Sequence, residues 1–148
     1  MKIYIGADHA GFELKENLKK FLEKAGHVVV DCGAFSYNPD DDYPDFIIPV
    51  AKAVSESKAE RGVVIGGSGE GEAITANRFK GVRASVYHGG NLDIPKVTRE
   101  HNDSNILSLG ARFLDEEEAE EAVKLWLDTP FSNEIHHIRR IEKINRIR

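Results

Sequence analysis

The run Gly66-Gly67-Ser68-Gly69-Glu70-Gly71-Glu72 gathers four glycines, a hydroxyl and two carboxylates within seven residues. Glycines let backbone N–H groups approach a ligand closely, and Ser68 adds a hydroxyl to that surface. Gly62-Val63-Val64-Ile65 before the run reads as a strand, and Ala73-Ile74-Thr75-Ala76-Asn77-Arg78 after it reads as a helix. The loop therefore feeds a helix N-terminus, whose unpaired N–H groups and partial positive charge suit an anionic or oxyanionic ligand. Glu72 supplies a proton carrier held against that ligand. Strand, glycine cradle and carboxylate together suggest proton transfer on an anionic small molecule.

Other readings of the loop fare worse. A glycine-rich turn is often only a tight connection. The spacing Gly67-x-Gly69-x-Gly71 is not the dinucleotide fingerprint, and it follows the third strand instead of the first. Ser68 sits in no nucleophile elbow, because Gly66-Gly67-Ser68-Gly69 is one residue short of that spacing. No metal site is evident, since the histidines lack zincin spacing and Cys32 is the only cysteine. Cys32, at a strand end, reads as a small buried residue and not as a nucleophile.

Further candidates are scattered along the chain. Asp8-His9 ends a strand, where it is placed to bind hydroxyls or to cap the next helix. His101-Asn102 lies between a helix and a strand and offers an imidazole and an amide donor. Arg112 follows the fifth strand, and Arg139 and Arg140 lie on the last helix with His136 and His137. Arginine matches phosphate geometry with paired N–H donors.

The elements that must position these residues alternate. Lys2–Ala7, 27–31, 62–65, 82–87 and 105–109 read as strands. Helices are expected over 12–25, 44–58, from the glycine loop onward, around 94–100, over 116–127, and from about residue 133 or 134. This is the α/β pattern of a parallel sheet covered on both faces, in one domain spanning 1–148. Ligands of such sheets sit beyond the C-terminal strand ends. Asp8-His9, Gly66–Glu72 and Gly110-Ala111-Arg112 then share one edge, and that convergence favours a working site.

Composition sets outer limits. The 148 residues, 41% hydrophobic and 30% charged, suit a globular chain with a substantial core. A net charge of −5 argues against general nucleic-acid affinity. No apolar run approaches the ~20 residues of a membrane span, and the opening residues carry no signal-peptide pattern, so a cytoplasmic location is expected. Six acids between Asp115 and Glu121 suit a helix N-terminus, while residues 134–148 form a basic tail able to supply cations to an anionic site.

Ile135, Ile138, Ile141, Ile144 and Ile147 recur every three residues on the last helix. At about 100° per residue, this spacing spreads them around the circumference instead of along one stripe. The helix is therefore expected to pack against more than one surface, including a second subunit.

Taken together, these pieces resemble the type B ribose-5-phosphate isomerase family, which includes galactose-6-phosphate isomerase subunits. The matching motifs are 6–15 (Gly6-Ala7-Asp8-His9-Ala10-Gly11-Phe12-Glu13-Leu14-Lys15), Asp42-Tyr43-Pro44-Asp45, the glycine loop, Ala76-Asn77-Arg78, Gly81-Val82-Arg83-Ala84 and Glu100-His101-Asn102-Asp103-Ser104-Asn105. Their order and spacing run across nearly the whole chain. The resemblance implies a Rossmann-like three-layer αβα fold with a five-stranded parallel sheet and a C-terminal helix packing on a partner subunit. It also implies a homodimer, sometimes a tetramer, with sites shared across the interface, and cofactor-free, metal-free aldose–ketose isomerisation of a phosphorylated sugar through a cis-enediolate. One branch of the family has a cysteine at the position of Gly66; this chain resembles the other, with a glutamate base where Glu72 stands.

By the same resemblance, Ser68 and the amides of Gly67, Gly69 and Gly71 stabilise the enediolate oxygens. His101 assists ring opening, and Asp8 and Asn102 hold sugar oxygens. His9, Arg112 and Arg140 hold the phosphate, and Tyr43 lines the pocket. One departure is that His136 stands where the family usually has a first phosphate-binding arginine. Imidazole is charged only part of the time near neutral pH and lacks the paired donors. Residues 87–95 also depart from the usual pattern. The expected reaction is ribose 5-phosphate to ribulose 5-phosphate. Its rivals are a hexose 6-phosphate isomerase of the allose or galactose type, a non-catalytic sugar-phosphate sensor and, least favoured, nucleic-acid binding through the last helix.

Overall fold

The structure, a computed structural model, describes residues 1–147; Arg148, counted above in the basic tail, lies outside them. Five parallel strands form one sheet: β1 (Lys2–Ala7), β2 (Val28–Asp31), β3 (Arg61–Gly66), β4 (Ala84–Tyr87) and β5 (Ile106–Gly110), in the order β2-β1-β3-β5-β4. The helices are α1 (Phe12–Lys24), α2 (Pro44–Ser55), α3 (Glu70–Ala76), α4 (Asp93–Asn102), α5 (Glu116–Asp128) and α6 (Ile135–Asn145).

The central strands are apolar on both faces because both faces are covered. Strand alternation sends Val63 and Ile65 into one core with Leu14, Leu18, Leu22 and Trp126, beneath α1 and α5. Val64, between them, enters the other core with Ile47, Val50 and Ala76, beneath α2 and α3. The expected three layers and five parallel strands are present.

Boundaries moved by a few residues. Helix α2 stops at Ser55 instead of residue 58, and Ser57 turns into a left-handed conformation (φ 56°). Helix α4 runs to Asn102, where Asp103, also left-handed (φ 46°), caps it. This second shift carries His101 and Asn102 onto a helix end.

Helix α6 hardly joins the body. His137 is its one buried residue, whereas Ile135 and Ile144 are 83% and 48% exposed. Among the described residues, no helix is long and apolar enough to cross a membrane.

Candidate active site

Strand order reverses direction between β1 and β3, and the crevice at the carboxyl ends of such a pair is where open α/β sheets bind ligands. The glycine loop enters this crevice. Gly69 caps α3 in a left-handed conformation (φ 83°), which a side chain adopts only with strain. The loop is clamped from the neighbouring strand. Ala111 N–H donates to the Gly66 carbonyl (2.8 Å) and Arg112 N–H to that of Gly67 (3.1 Å). The buried Ser108 hydroxyl donates to the Gly69 carbonyl (2.5 Å). The cradle is thus fixed before any ligand arrives.

Glu72, 4% exposed, folds its carboxyl back over Gly66. A Cβ added at residue 66 would collide with Glu72 Oε1, so the missing side chain there is what makes room for the carboxyl. Burial raises the Glu72 pKa above its ordinary value, and the charges of Asp8 and Glu70 push the same way. The backbone N–H groups of Glu72 and Gly69 oppose this and lose. A proton acceptor raised from the usual carboxylate range is better matched to a weakly acidic C–H.

Around this carboxyl, the structure assembles most of the sequence-derived set. Asp8 is buried, and its Oδ1 accepts from the N–H groups of Ala10 (3.0 Å) and Gly11 (3.3 Å), as a cap does. His9 donates its backbone N–H to Asp41 Oδ1 (3.0 Å), and its Nδ1 bonds to the same oxygen at 2.7 Å. The Tyr43 ring lies over Gly71, where an added Cβ would sit 2.9 Å from its hydroxyl. The Arg112 guanidinium lies over Gly67 in the same manner, with Nη1 at 3.1 Å. Ser68 Oγ accepts from Glu70 N–H (3.3 Å) at the start of α3.

His101 and Asn102 are elsewhere. In a parallel sheet each connecting helix runs back against the strands, so the C-terminus of α4 lies at the amino edge, beside the start of β5. Arg83, just before β4, donates from Nε to the carbonyls of Asn102 and Asp103 there (both 3.0 Å). Within one chain, His101 and Asn102 therefore lie at the opposite edge of the sheet from the glycine loop. The start of α6 joins them there. The His137 ring stacks on His101 (centroids 4.3 Å, 16° between planes), and His136 tilts against His137 (4.0 Å). Burial lowers the His137 pKa; the neighbouring His136, His101 and Arg140 add to this, against Glu134. The chain thus carries two clusters of candidate residues: a carboxyl edge with Asp8, His9, Tyr43, the glycine loop, Glu72 and Arg112, and an amino edge with His101, Asn102, His136 and Arg140.

Sequence reasoning missed Asp41. Its Oδ1 holds His9 while its buried Oδ2 has no hydrogen-bond partner among the described residues. The only signal was the acid run Asp40-Asp41-Asp42 ahead of Tyr43. It also missed Ser108, indistinguishable in sequence from any strand serine. Cys32 is only partly buried, against the core beneath α2 and α3, and burial foremost, then the charge of Asp31, lifts its thiol to about 11, where it stays protonated at neutral pH.

Fold and crevice define a doubly wound α/β protein that sets a buried carboxyl against a glycine cradle at the switch point of its sheet. The chain belongs to the Ribose/Galactose Isomerase family, whose model matches residues 3–144. It is 42% identical over 142 residues to a ribose-5-phosphate isomerase B of Mycolicibacterium paratuberculosis, covering 96% of this chain and 88% of that one. Its structure resembles that of the Clostridium thermocellum ribose-5-phosphate isomerase B, with TM-score 0.94, 43% identity and coverage of 99% and 97%. It also resembles the Mycoplasma genitalium enzyme with bound ribulose-5-phosphate, with TM-score 0.93, 35% identity and coverage of 98% and 94%.

Proposed function

We propose that this protein interconverts ribose 5-phosphate and ribulose 5-phosphate, with Glu72 as the base. The observation that carries the reading is the Glu72 carboxyl, buried over Gly66 beside a clamped row of amide donors. The open-chain aldose loses its C2 proton to Glu72, leaving a cis-enediolate. The same carboxyl returns the proton to C1 while the hydroxyl hydrogen on O2 passes to O1. Atoms balance, and no external oxidant is required. Ser68 and the amides of Gly67, Gly69 and Gly71 hold the charge that develops on O1 and O2; such donors are worth about 2.7–4 kcal/mol each in other enzymes. Asp8 holds a sugar hydroxyl, Tyr43 closes over the loop, and His9 and Arg112 meet the phosphate.

His101 (for ring opening), Asn102, His136 and Arg140 complete the pocket from a second copy of the chain. The separation of the two half-sites on opposite edges supports a homodimer, as do the exposed isoleucines of α6. The reading includes a cytoplasmic location and a single isomerase domain. A hexose 6-phosphate substrate is the second reading. It is favoured by His136 and by the turn at Gly89 and Gly90 (φ 103° and 97°), next to a His88 whose Nε2 lies 3.5 Å from Glu70.

Turnover of purified protein on ribose 5-phosphate, allose 6-phosphate and galactose 6-phosphate decides between them. Preference for the pentose supports the first reading, and preference for a hexose the second. Binding with no solvent-deuterium exchange at C2 would instead mark a sensor.

A further inference from the structure

We infer that Glu134, His136 and His137 form a binding site for one divalent transition-metal ion of the zinc type. One donor atom from each residue can be chosen such that all three lie within 4.8 Å of one another. Glu134 Oε2 and His136 Nδ1 are 3.4 Å apart, close to the edge of a tetrahedron with metal–ligand bonds of about 2.0–2.1 Å. The local backbone makes this possible. Glu134 is the extended N-cap of α6 (φ −68°, ψ 138°), which leaves its carboxylate beside the first turn carrying both histidines.

The surroundings select the kind of ion. The positive end of α6 and the nearby Arg140 both oppose a cation, so charge alone will not hold one. Two imidazole nitrogens bond borderline ions such as Zn2+, Co2+ or Ni2+ far better than Mg2+ or Ca2+. The stack on His101 fixes the His137 ring, while the side chains of His136 and Glu134 are 44% and 60% exposed and leave an entry path. Water is free to take the fourth position. The spacing Glu-x-His-His matches none of the helical zinc motifs, so motif reading alone does not find it. Among the described residues the other such group, Asp8, His9 and Asp41, is already closed by the short His9–Asp41 bond and belongs to the crevice.

The ion is not a cofactor for isomerisation. On the proposed function, on which this part rests, His136 faces the substrate phosphate, so ion and phosphate compete for it. The test titrates the full-length protein with Co2+ by visible absorption and with Zn2+ by equilibrium dialysis, without sugar. Saturation at one ion per chain is expected, with no displacement by excess Mg2+. Affinity should fall at least about tenfold in Glu134→Gln and vanish in His136→Arg. No saturable binding, or binding unchanged in both variants, overturns the site. Zn2+ should also raise the KM for sugar phosphate. Ion binding without that rise supports the site and counts against His136 as a phosphate group, so the two readings fail separately.

Discussion

The carboxyl edge around Glu72 and the amino edge around His101 are held by different means. At the first, backbone hydrogen bonds from residues 111 and 112 and a buried serine hydroxyl lock the loop, and the Glu72 carboxyl is buried. At the second, imidazoles lean on one another at the ends of two helices, and α6 buries one residue of eleven. A group that moves a proton gains from desolvation and rigidity. Groups that gather a charged, mobile substrate gain from access. The difference is between a cluster whose packing is complete within one chain and one whose faces are left largely uncovered.

The sharpest way to break this division is to disable each edge on a separate chain. Glu72→Gln should lower turnover by about 10²–10⁴-fold, and His101→Asn should lower it too. Refolded together, the two dead variants should regain about a quarter of wild-type turnover, because half the dimers then carry one intact composite site. A mixture that stays dead would mean that each chain works alone. Next in size, Gly66→Ala should cost about 10²-fold in kcat with an unchanged circular-dichroism spectrum, since its methyl displaces the Glu72 carboxyl.

At the open edge effects should be smaller and appear in KM. His136→Arg should lower the KM for ribose 5-phosphate about 3–10-fold by restoring paired donors, with kcat held. Steady-state kinetics separate the two parameters.

The smallest effect concerns stability. The folded state holds the Glu72 proton more tightly than the unfolded chain, whose carboxyl titrates near 4.5. The stabilisation from this group is therefore complete below 4.5 and disappears as pH rises through the raised folded value. At neutral pH the ionised, desolvated carboxylate weakens the fold. Glu72→Gln should thus raise Tm at pH 7.5, each kcal/mol recovered amounting to about 2–4 °C at this chain length, and the gain should shrink toward pH 4. A Tm difference independent of pH would sever the link between burial and basicity. By the same sign, the acid limb of the pH–rate profile should lie above the ordinary carboxylate range.

The carboxyl edge was legible because its parts are neighbours in the chain: a glycine loop, a serine and two acids within seven residues. Five parallel strands also followed from the alternation of elements, since a chain covered on both faces has few other arrangements. What sequence left open was the sign of the Glu72 shift, where dipole and burial compete and only packing decides. His101 and Asn102 were placed only between a helix and a strand, although the direction of α4 in a parallel sheet already implies the amino edge. Asp41 stayed hidden because its partner is more than thirty residues away and the loop between them follows no periodic rule.

The space above residue 66 also couples two positions. It holds either the carboxyl of Glu72 or a side chain on residue 66, but not both. A side chain on residue 66 therefore requires the Glu72 carboxyl to swing elsewhere. What stands at residue 66 thus decides where the Glu72 carboxyl can rest, so the two positions behave as one physical unit.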